Sequence, residues 1–256
     1  MIDIHIHILP GIDDGAPFLD DSLYMADIAA SSGVDTIIMT PHCNIPDYYD
    51  NYYSLQLMRA FSELKRALDR ARIPVQVLPG MEIFTTPDIV SLIRNRQVIG
   101  LNFSRYMLVE FNFGADARWI TDRLEEILQA GKIPVVAHPE RYGCVFEQPQ
   151  TAVVWAEMGC LLQCNKGSFL GSFGRQAEEI AHRLLDHHLV SCIASDAHRP
   201  HVRTPNMREI YQYISSQYSL ETAVRLMNDN PLRICRNEDI LQTGVIPFEP
   251  QQYWKI

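Results

Sequence analysis

Short apolar runs recur along the chain, each followed by a longer stretch in which apolar residues return every three or four positions. The runs are residues 2–8 (IDIHIHI), 34–40 (VDTIIMT), 75–83 (VQVLPGMEI), 106–111 (YMLVEF), 133–138 (IPVVAH), 161–165 (LLQCN) and 190–196 (VSCIASD). Runs of this length rich in β-branched residues predict strands, and the 3.6-residue period between them predicts helices. The punctuation agrees. Gly33 and Gly131 stand just past predicted helix ends, and Thr86-Pro87 and Thr204-Pro205 each pair a cap with a first-turn proline. Seven β-then-α units result, with no Ser/Gly/Pro-rich linker, low-complexity tract or internal repeat between them. The expectation is one domain over residues 1–256, with a core to about residue 240 and a C-terminal tail over 241–256.

Strands that alternate with helices in this way demand right-handed parallel crossovers, so the fold is α/β, either an open doubly wound sheet or a barrel. The polar residues favour the barrel. His7, Glu82, Glu110, His138 and Asp196 close different runs, and His42 and His198 lie just beyond two of them. A barrel gathers its strand ends on one face, whereas an open sheet spreads them along a row. A (β/α) barrel of about seven strands is therefore predicted.

Composition narrows the function classes. Apolar residues make up 47% and charged residues 21%, as in a globular protein, which excludes a disordered chain. Asp and Glu number 31 against 22 Lys and Arg, a formal charge of −9, which argues against a sequence-independent nucleic-acid track. The opening MIDIHIHIL reads as a first strand and not as a signal peptide, and no run is long enough for membrane insertion, so a cytoplasmic location is expected. The six cysteines form no C-x-x-C pair and read as reduced, mostly buried thiols.

The histidines carry the chemistry. His5 and His7 are two apart in a strand, so both project from one face, with Ile4, Ile6 and Ile8 on the other. Alone the pair is as readily structural as metal-binding. Its company changes the balance: Asp13 and Asp14 in the next turn, His42, Glu82, Glu110, His138, Asp196 and His198. Imidazole and carboxylate donors without thiolate suit Mn²⁺, Fe or Zn²⁺ at a reactive site better than a structural zinc knot. His182, His187, His188 and His201 are expected to be solvated.

In order along residues 2 to about 210, the segments IDIHIHILPGIDDGA, TPHCN, LPGMEI, LVEFNF, VVAHPERY and IASDAHR resemble the polymerase and histidinol phosphatase (PHP) superfamily of metal phosphoesterases. Within it they are similar to the tyrosine-protein phosphatases of bacterial capsule and exopolysaccharide operons. The resemblance implies a distorted, TIM-like (β/α)7 barrel of the PHP type with three divalent metal ions, Mn²⁺ first and Fe or Zn²⁺ as alternatives. It implies one ion on His5, His7, Glu82 and Asp196 and a second on Asp14, His42 and His198. The third falls to Glu110 and His138, with Glu82 as the bridging carboxylate. Asp13 competes with Asp14. Many superfamily members have histidines where this chain has Asp in the first turn and Glu110 on the fourth strand. That departure points away from exonucleases and histidinol phosphatases.

The implied reaction is attack on phosphorus by a hydroxide that adjacent metal ions generate from a bridging water. Arg141, three residues after His138, is a candidate for the phosphate oxygens. The resemblance assigns a second arginine after the last strand, best matched by Arg203, with Arg199 and Arg208 as competitors. The implied substrate is a phosphotyrosyl protein, namely an autophosphorylating bacterial tyrosine kinase. The thiolate design of tyrosine phosphatase, C-x5-R, is absent, because the sixth residue after each cysteine is Tyr49, Gln150, Lys166, Leu170, His198 or Leu241. Alternatives are another PHP phosphoesterase acting on histidinol phosphate or nucleotide and DNA phosphoesters, an amidohydrolase, and a non-catalytic module docking on a kinase. An amidohydrolase often needs a carboxylated lysine on a middle strand, and only Lys166 stands near one. The tyrosine-rich 45–53 (IPDYYDNYY) is a candidate for the rim of the site, and the glycine-containing 165–176 (NKGSFLGSFGRQ) reads equally as a cradle for phosphate or a peptide backbone and as a plain connecting loop.

Overall fold

Among the described residues, 1–248, the computed structural model of the protein has nine short strands that make seven staves. They are β1 (Ile2–Ile6), β2 (Thr36–Met39), β3 (His42–Cys43), β4 (Gln76–Pro79), β5 (Glu82–Phe84), β6 (Tyr106–Glu110), β7 (Ile133–Ala137), β8 (Leu161–Asn165) and β9 (Cys192–Ala194). All pairings between them are parallel, in the orders β1-β2-β4 and β3-β5-β6-β7-β8-β9. The chain closes where β9 runs out: Ile6 bridges Ala197, His7 N donates to Ala197 O at 2.9 Å, and Asp196 N donates to His5 O at 2.8 Å. The result is a distorted parallel barrel.

The distortion has a local cause. The third predicted strand breaks in two at Gly80-Met81, and beyond the second, past Thr40-Pro41, a further short strand follows. A proline contributes no N–H to a ladder, so Pro41 and Pro79 stand at the breaks. The short β3 was not expected as a strand. The breaks let the upper halves pair with each other, His42 beside Glu82, and bring those two side chains over the barrel mouth.

Helices cover the outside, among them Leu55–Ala71, which buries Leu57, Phe61, Leu64 and Leu68 on one face. Ser54 caps it by accepting Leu57 N, and Asp116 caps Ala117–Gln129 by accepting Arg118 N and Trp119 N. Gly33 and Gly131 do end helices, both at positive φ. The two Thr-Pro pairs do not start them, contrary to expectation. Helices begin later, at Ile89 and Arg208, and Thr86 Oγ1 accepts from Asn44 Nδ2 instead. No helix among the described residues is long and apolar enough to cross a membrane.

The lumen is apolar below and polar above. Ile2, Ile4, Ile38, Tyr106, Leu108, Val135, Ala137, Leu161, Cys192 and Ala194 form one cluster, with Leu78 against it, so every stave contributes. Two residues further along the same faces come Thr40, Glu110, Gln163 and Asp196, so period two carries the polar groups to the C-terminal mouth.

β1 departs from simple alternation. Ile2 and Asp3 pair with Thr36 and Ile37, but Ile6 pairs with Met39, a slip of one residue between Asp3 and Ile6. Ile4 therefore joins the lumen cluster while Ile6 and Ile8 belong to the outer core, which corrects the expectation that the three isoleucines share one face. Such a bulge re-aims side chains, and here it lets Ile4 fill the floor while His5 and His7 still reach the mouth.

The tail expected over 241–256 is described only to residue 248, and 249–256 lie outside the described residues. Its first part is fastened to the barrel, with Ile246 N donating to His187 O at 3.0 Å.

Candidate metal centre

All nine side chains named as candidate ligands meet at the C-terminal mouth. Eight of them, all but His138, place donor atoms in three overlapping groups, each within 4.8 Å: His5, His7 and Asp196; His7, Asp14, His42 and His198; and His42, Glu82 and Glu110. Glu82 sits centrally, 3.2 Å from both His5 Nε2 and His7 Nε2, 3.0 Å from His42 Nδ1 and 3.1 Å from His138 Nε2. His138 Nε2 is also 3.6 Å from Glu110 Oε1. The first group holds three residues of the first implied set and lacks Glu82, and the second holds the second implied set with His7 added. In the third, His42 lies with Glu82 and Glu110 as closely as His138 does.

The adjacent aspartates separate cleanly. Asp13 is turned inward, where its carboxylate meets His7 Nδ1 at 2.7 Å and accepts His42 N at 2.9 Å and Gly15 N at 2.9 Å. Asp14, half exposed, points to the centre, 3.5 Å from His42 Nε2 and 3.4 Å from His198 Nε2. The turn can pack this tightly because residue 15 is glycine: a Cβ there would stand 2.1 Å from His7 O. Two candidate ligands, His138 at φ 36° and Asp196 at φ 48°, adopt left-handed backbone conformations. For non-glycine residues that costs on the order of 1–3 kcal/mol and is tolerated where the fold holds a side chain over a site.

The hydrogen bonding of the rings identifies what the centre is built to hold. His5 Nδ1 faces the amide oxygen of Gln163 at 2.7 Å, and His7 Nδ1 faces Asp13. With Nδ1 so engaged, each ring turns its Nε2 toward the centre, and the two Nε2 atoms stand 3.3 Å apart. Buried His42 Nδ1 and Glu82 Oε2 face each other at 3.0 Å without forming a hydrogen bond. Lone pairs converging from imidazole and carboxylate fit cations and fit little else.

The electrostatics say the same. Burial disfavours the charged forms of Glu82 and Asp196, yet the surrounding histidines hold both well below the usual carboxylate range. Burial, followed by the Glu82 and Asp196 charges, pushes the Glu110 carboxyl up to about 9. Burial and the neighbouring His7 push His198 down to about 4. One acid is thus held neutral for want of positive charge.

Sequence reasoning missed the chain of amides behind the ligands. Gln163 Nε2 donates to Asn165 Oδ1 at 2.9 Å, and Asn165 Nδ2 donates to Asp196 Oδ2 at 2.6 Å. Both amides belong to β8, whose five residues are all buried. Two buried amides in so short a run were the available signal.

The arginines also sort themselves. Arg203 pairs with Asp196 Oδ2, and Arg141 Nη1 lies 3.8 Å from the same oxygen. Arg199 reaches only the His198 carbonyl, and Arg208 bonds Ser31 O on a neighbouring helix. Lys166 Nζ donates to Asn206 O at 2.7 Å and is not among the converging groups. Of the 45–53 tyrosines, Tyr49 stacks on His42 with 8° between planes, whereas Tyr48 stands exposed on the surface. His182 is not solvated as expected but packs among Phe169, Tyr213 and Tyr218.

Comparison with known proteins agrees with this geometry. The family model described as capsular polysaccharide synthesis, CpsB/CapC, matches residues 1–236. The tyrosine-protein phosphatase YwqE of Bacillus subtilis is 34% identical over 249 residues, 97% of each chain. The tyrosine-protein phosphatase CpsB of Streptococcus agalactiae serotype V is 30% identical over 94% of this chain and 100% of its own. A solved chain from crystal structures of YwqE and of Streptococcus pneumoniae CpsB, described as unique metal-dependent tyrosine phosphatases, superposes with a TM-score of 0.90 at 34% identity. That match covers 98% of this chain and 100% of that one. Barrel, strand-end centre and sequence thus agree that the chain belongs to the CpsB/CapC family of capsular polysaccharide synthesis proteins.

Proposed function

We propose that this chain is a metal-dependent phosphotyrosine-protein phosphatase that acts on an autophosphorylating bacterial tyrosine kinase of capsule or exopolysaccharide synthesis. The observation that carries the reading is the convergence of Arg141 and Arg203 on Asp196 at the edge of the imidazole and carboxylate centre. That arrangement sets two fixed cations beside ligands for more, as a phosphate group with several charged oxygens requires. Tyrosine-protein phosphatase is also what the relatives YwqE and CpsB are called.

In this reading three divalent ions, Mn²⁺ before Fe or Zn²⁺, are held by His5, His7, Glu82 and Asp196, by Asp14, His42 and His198, and by Glu110 and His138, with Glu82 shared. Bound there, they supply an acidified water and charge for the phosphate oxygens. The chain's own residues do the rest. Arg141 and Arg203 take non-bridging oxygens, and Asp196 keeps Arg203 turned inward until phosphate arrives. Gln163 and Asp13 hold the His5 and His7 rings with Nε2 toward the centre. Tyr49 offers a flat face beside His42 for an aryl ring. A phenolate leaves with a pKa of about 10, so the chain needs no strong general acid. The working unit is the barrel to about residue 240 with the 241–256 tail appended, and its place is the cytoplasm.

The test is turnover by the manganese-loaded protein of a phosphotyrosyl peptide panel, histidinol phosphate and single-stranded DNA, with metal content measured on the same sample. Preferential hydrolysis of the phosphotyrosyl peptides is expected. Preference for histidinol phosphate or DNA, or no turnover by a fully loaded protein, overturns the reading.

A further inference from the structure

The loop between β8 and the helix Arg175–Asp186 carries one ring that two cations share. The Phe173 centroid lies 4.5 Å from Arg141 Cζ and 5.5 Å from Arg203 Cζ. These arginines follow different staves, β7 and β9, and both guanidinium groups approach the same Asp196 oxygen. Like charges brought together repel, and an aromatic face beside both attracts each of them. The seat of the ring is specific: a Cβ on residue 167 would stand 2.8 Å from Phe173 Cε2, so the ring occupies the place that Gly167 leaves open.

We infer that Phe173 is a positioning residue of the phosphate site, its ring seated on Gly167 and holding Arg141 and Arg203 in the orientation that receives phosphate oxygens. The inference rests on the phosphatase reading and deepens it. Arginine side chains have many rotamers, and ordering two of them at the moment of binding weakens affinity. Ordering them beforehand on a fixed π face removes that loss. The ring touches neither metal ligands nor phosphate in this scheme. Its effect therefore falls on phosphate affinity and leaves metal content alone.

The experiment uses the manganese-loaded full chain and the variants Phe173→Leu, Phe173→Tyr, Gly167→Ala and the Phe173→Leu/Gly167→Ala double. For each, kcat and KM are measured on an aryl phosphate, inorganic phosphate affinity by calorimetry, and metal content directly. Leucine keeps bulk and loses the π face, so KM and the phosphate Kd are expected to rise together by about fivefold, and tyrosine to stay within about twofold of the parent. Gly167→Ala displaces the ring and is expected to reproduce the leucine defect without adding to it in the double variant. Parental phosphate affinity in Phe173→Leu, or an equal defect in Phe173→Tyr, overturns the inference. Gly167→Ala decides the matter if the leucine variant fails to fold, since parental affinity there also overturns it. Calorimetry needs no turnover, so a protein that binds phosphate but hydrolyses no aryl phosphate fails the functional reading and still tests Phe173.

Discussion

Gln163 Oε1 lies 2.7 Å from His5 Nδ1, and through that contact one amide on β8 sets the proton on a ring of β1. The same amide continues through Asn165 to Asp196, so His5 and Asp196 are oriented by one hydrogen-bonded chain. Gln163→Leu leaves the volume nearly unchanged and lets the His5 ring turn or change tautomer. Removal of such outer partners costs about 10–100-fold in metal affinity. Manganese titration of Gln163→Leu is expected to show a loss in that range with the fold intact by circular dichroism. Unchanged affinity refutes the orienting role.

Asp13 and Asp14 are neighbours in sequence with opposite duties, and two substitutions separate them. Asp14→Ala takes away a half-exposed carboxylate near His42 and His198. It is expected to lower bound metal by about one equivalent and to change chemical stability by less than about 1 kcal/mol, as a surface substitution does. Asp13→Ala strands the buried N–H groups of Gly15 and His42. Each such loss costs about 1–3 kcal/mol, so urea unfolding of this variant shifts clearly downward even without metal. Equal stability of the two metal-free variants contradicts the division.

The barrel and most of the centre were legible because period two is a strong constraint. Glu110 follows Leu108, and Asp196 follows Ala194, on lumen-facing positions, so their convergence is written in the spacing. What depended on tertiary approach was not legible. The slip in β1 that sends Ile4 inward leaves no mark in IDIHIHI, where isoleucine alternates with Asp3, His5 and His7 without a break. Phe173 looks like any loop aromatic until Arg141 and Arg203 arrive from other staves. Asp13 and Asp14 sit in a turn, where no periodicity says which one faces in.

No cysteine is among the groups that converge at this centre. Burial pushes Cys43 and Cys160 up to about 12, Cys235 up to about 11, and Cys164 well above its ordinary value. Alkylation requires thiolate, which is scarce at such values. Iodoacetamide at pH 7.5 is therefore expected to leave aryl phosphate turnover intact, while a chelator abolishes it and added Mn²⁺ restores it. Inactivation by the alkylating agent with resistance to the chelator contradicts the metal mechanism.

The metal-free protein has its own pH signature. With burial, Glu82 and Asp196 lifting Glu110 from 4.5 to about 9, the folded state holds this proton more tightly than the unfolded state does. The stability it contributes is complete below about pH 4.5 and is lost as pH rises toward 9. His198 works in the opposite sense. Depressed from 6.5 to about 4 by burial and His7, it sheds its proton first in the folded state, so stability rises between those values. Above pH 6.5 the Glu110 slope is unopposed by His198, and the raised His5 and His7 add to it. The thermal midpoint of chelated protein is therefore expected to fall from pH 6.5 to 9, and Glu110→Gln to flatten part of that fall. Metal binding displaces the Glu110 proton, so manganese affinity should rise over the same window in the parent and less steeply in the variant. A midpoint that climbs with pH in the chelated parent, or identical slopes in parent and variant, refutes the assignment of that proton to Glu110.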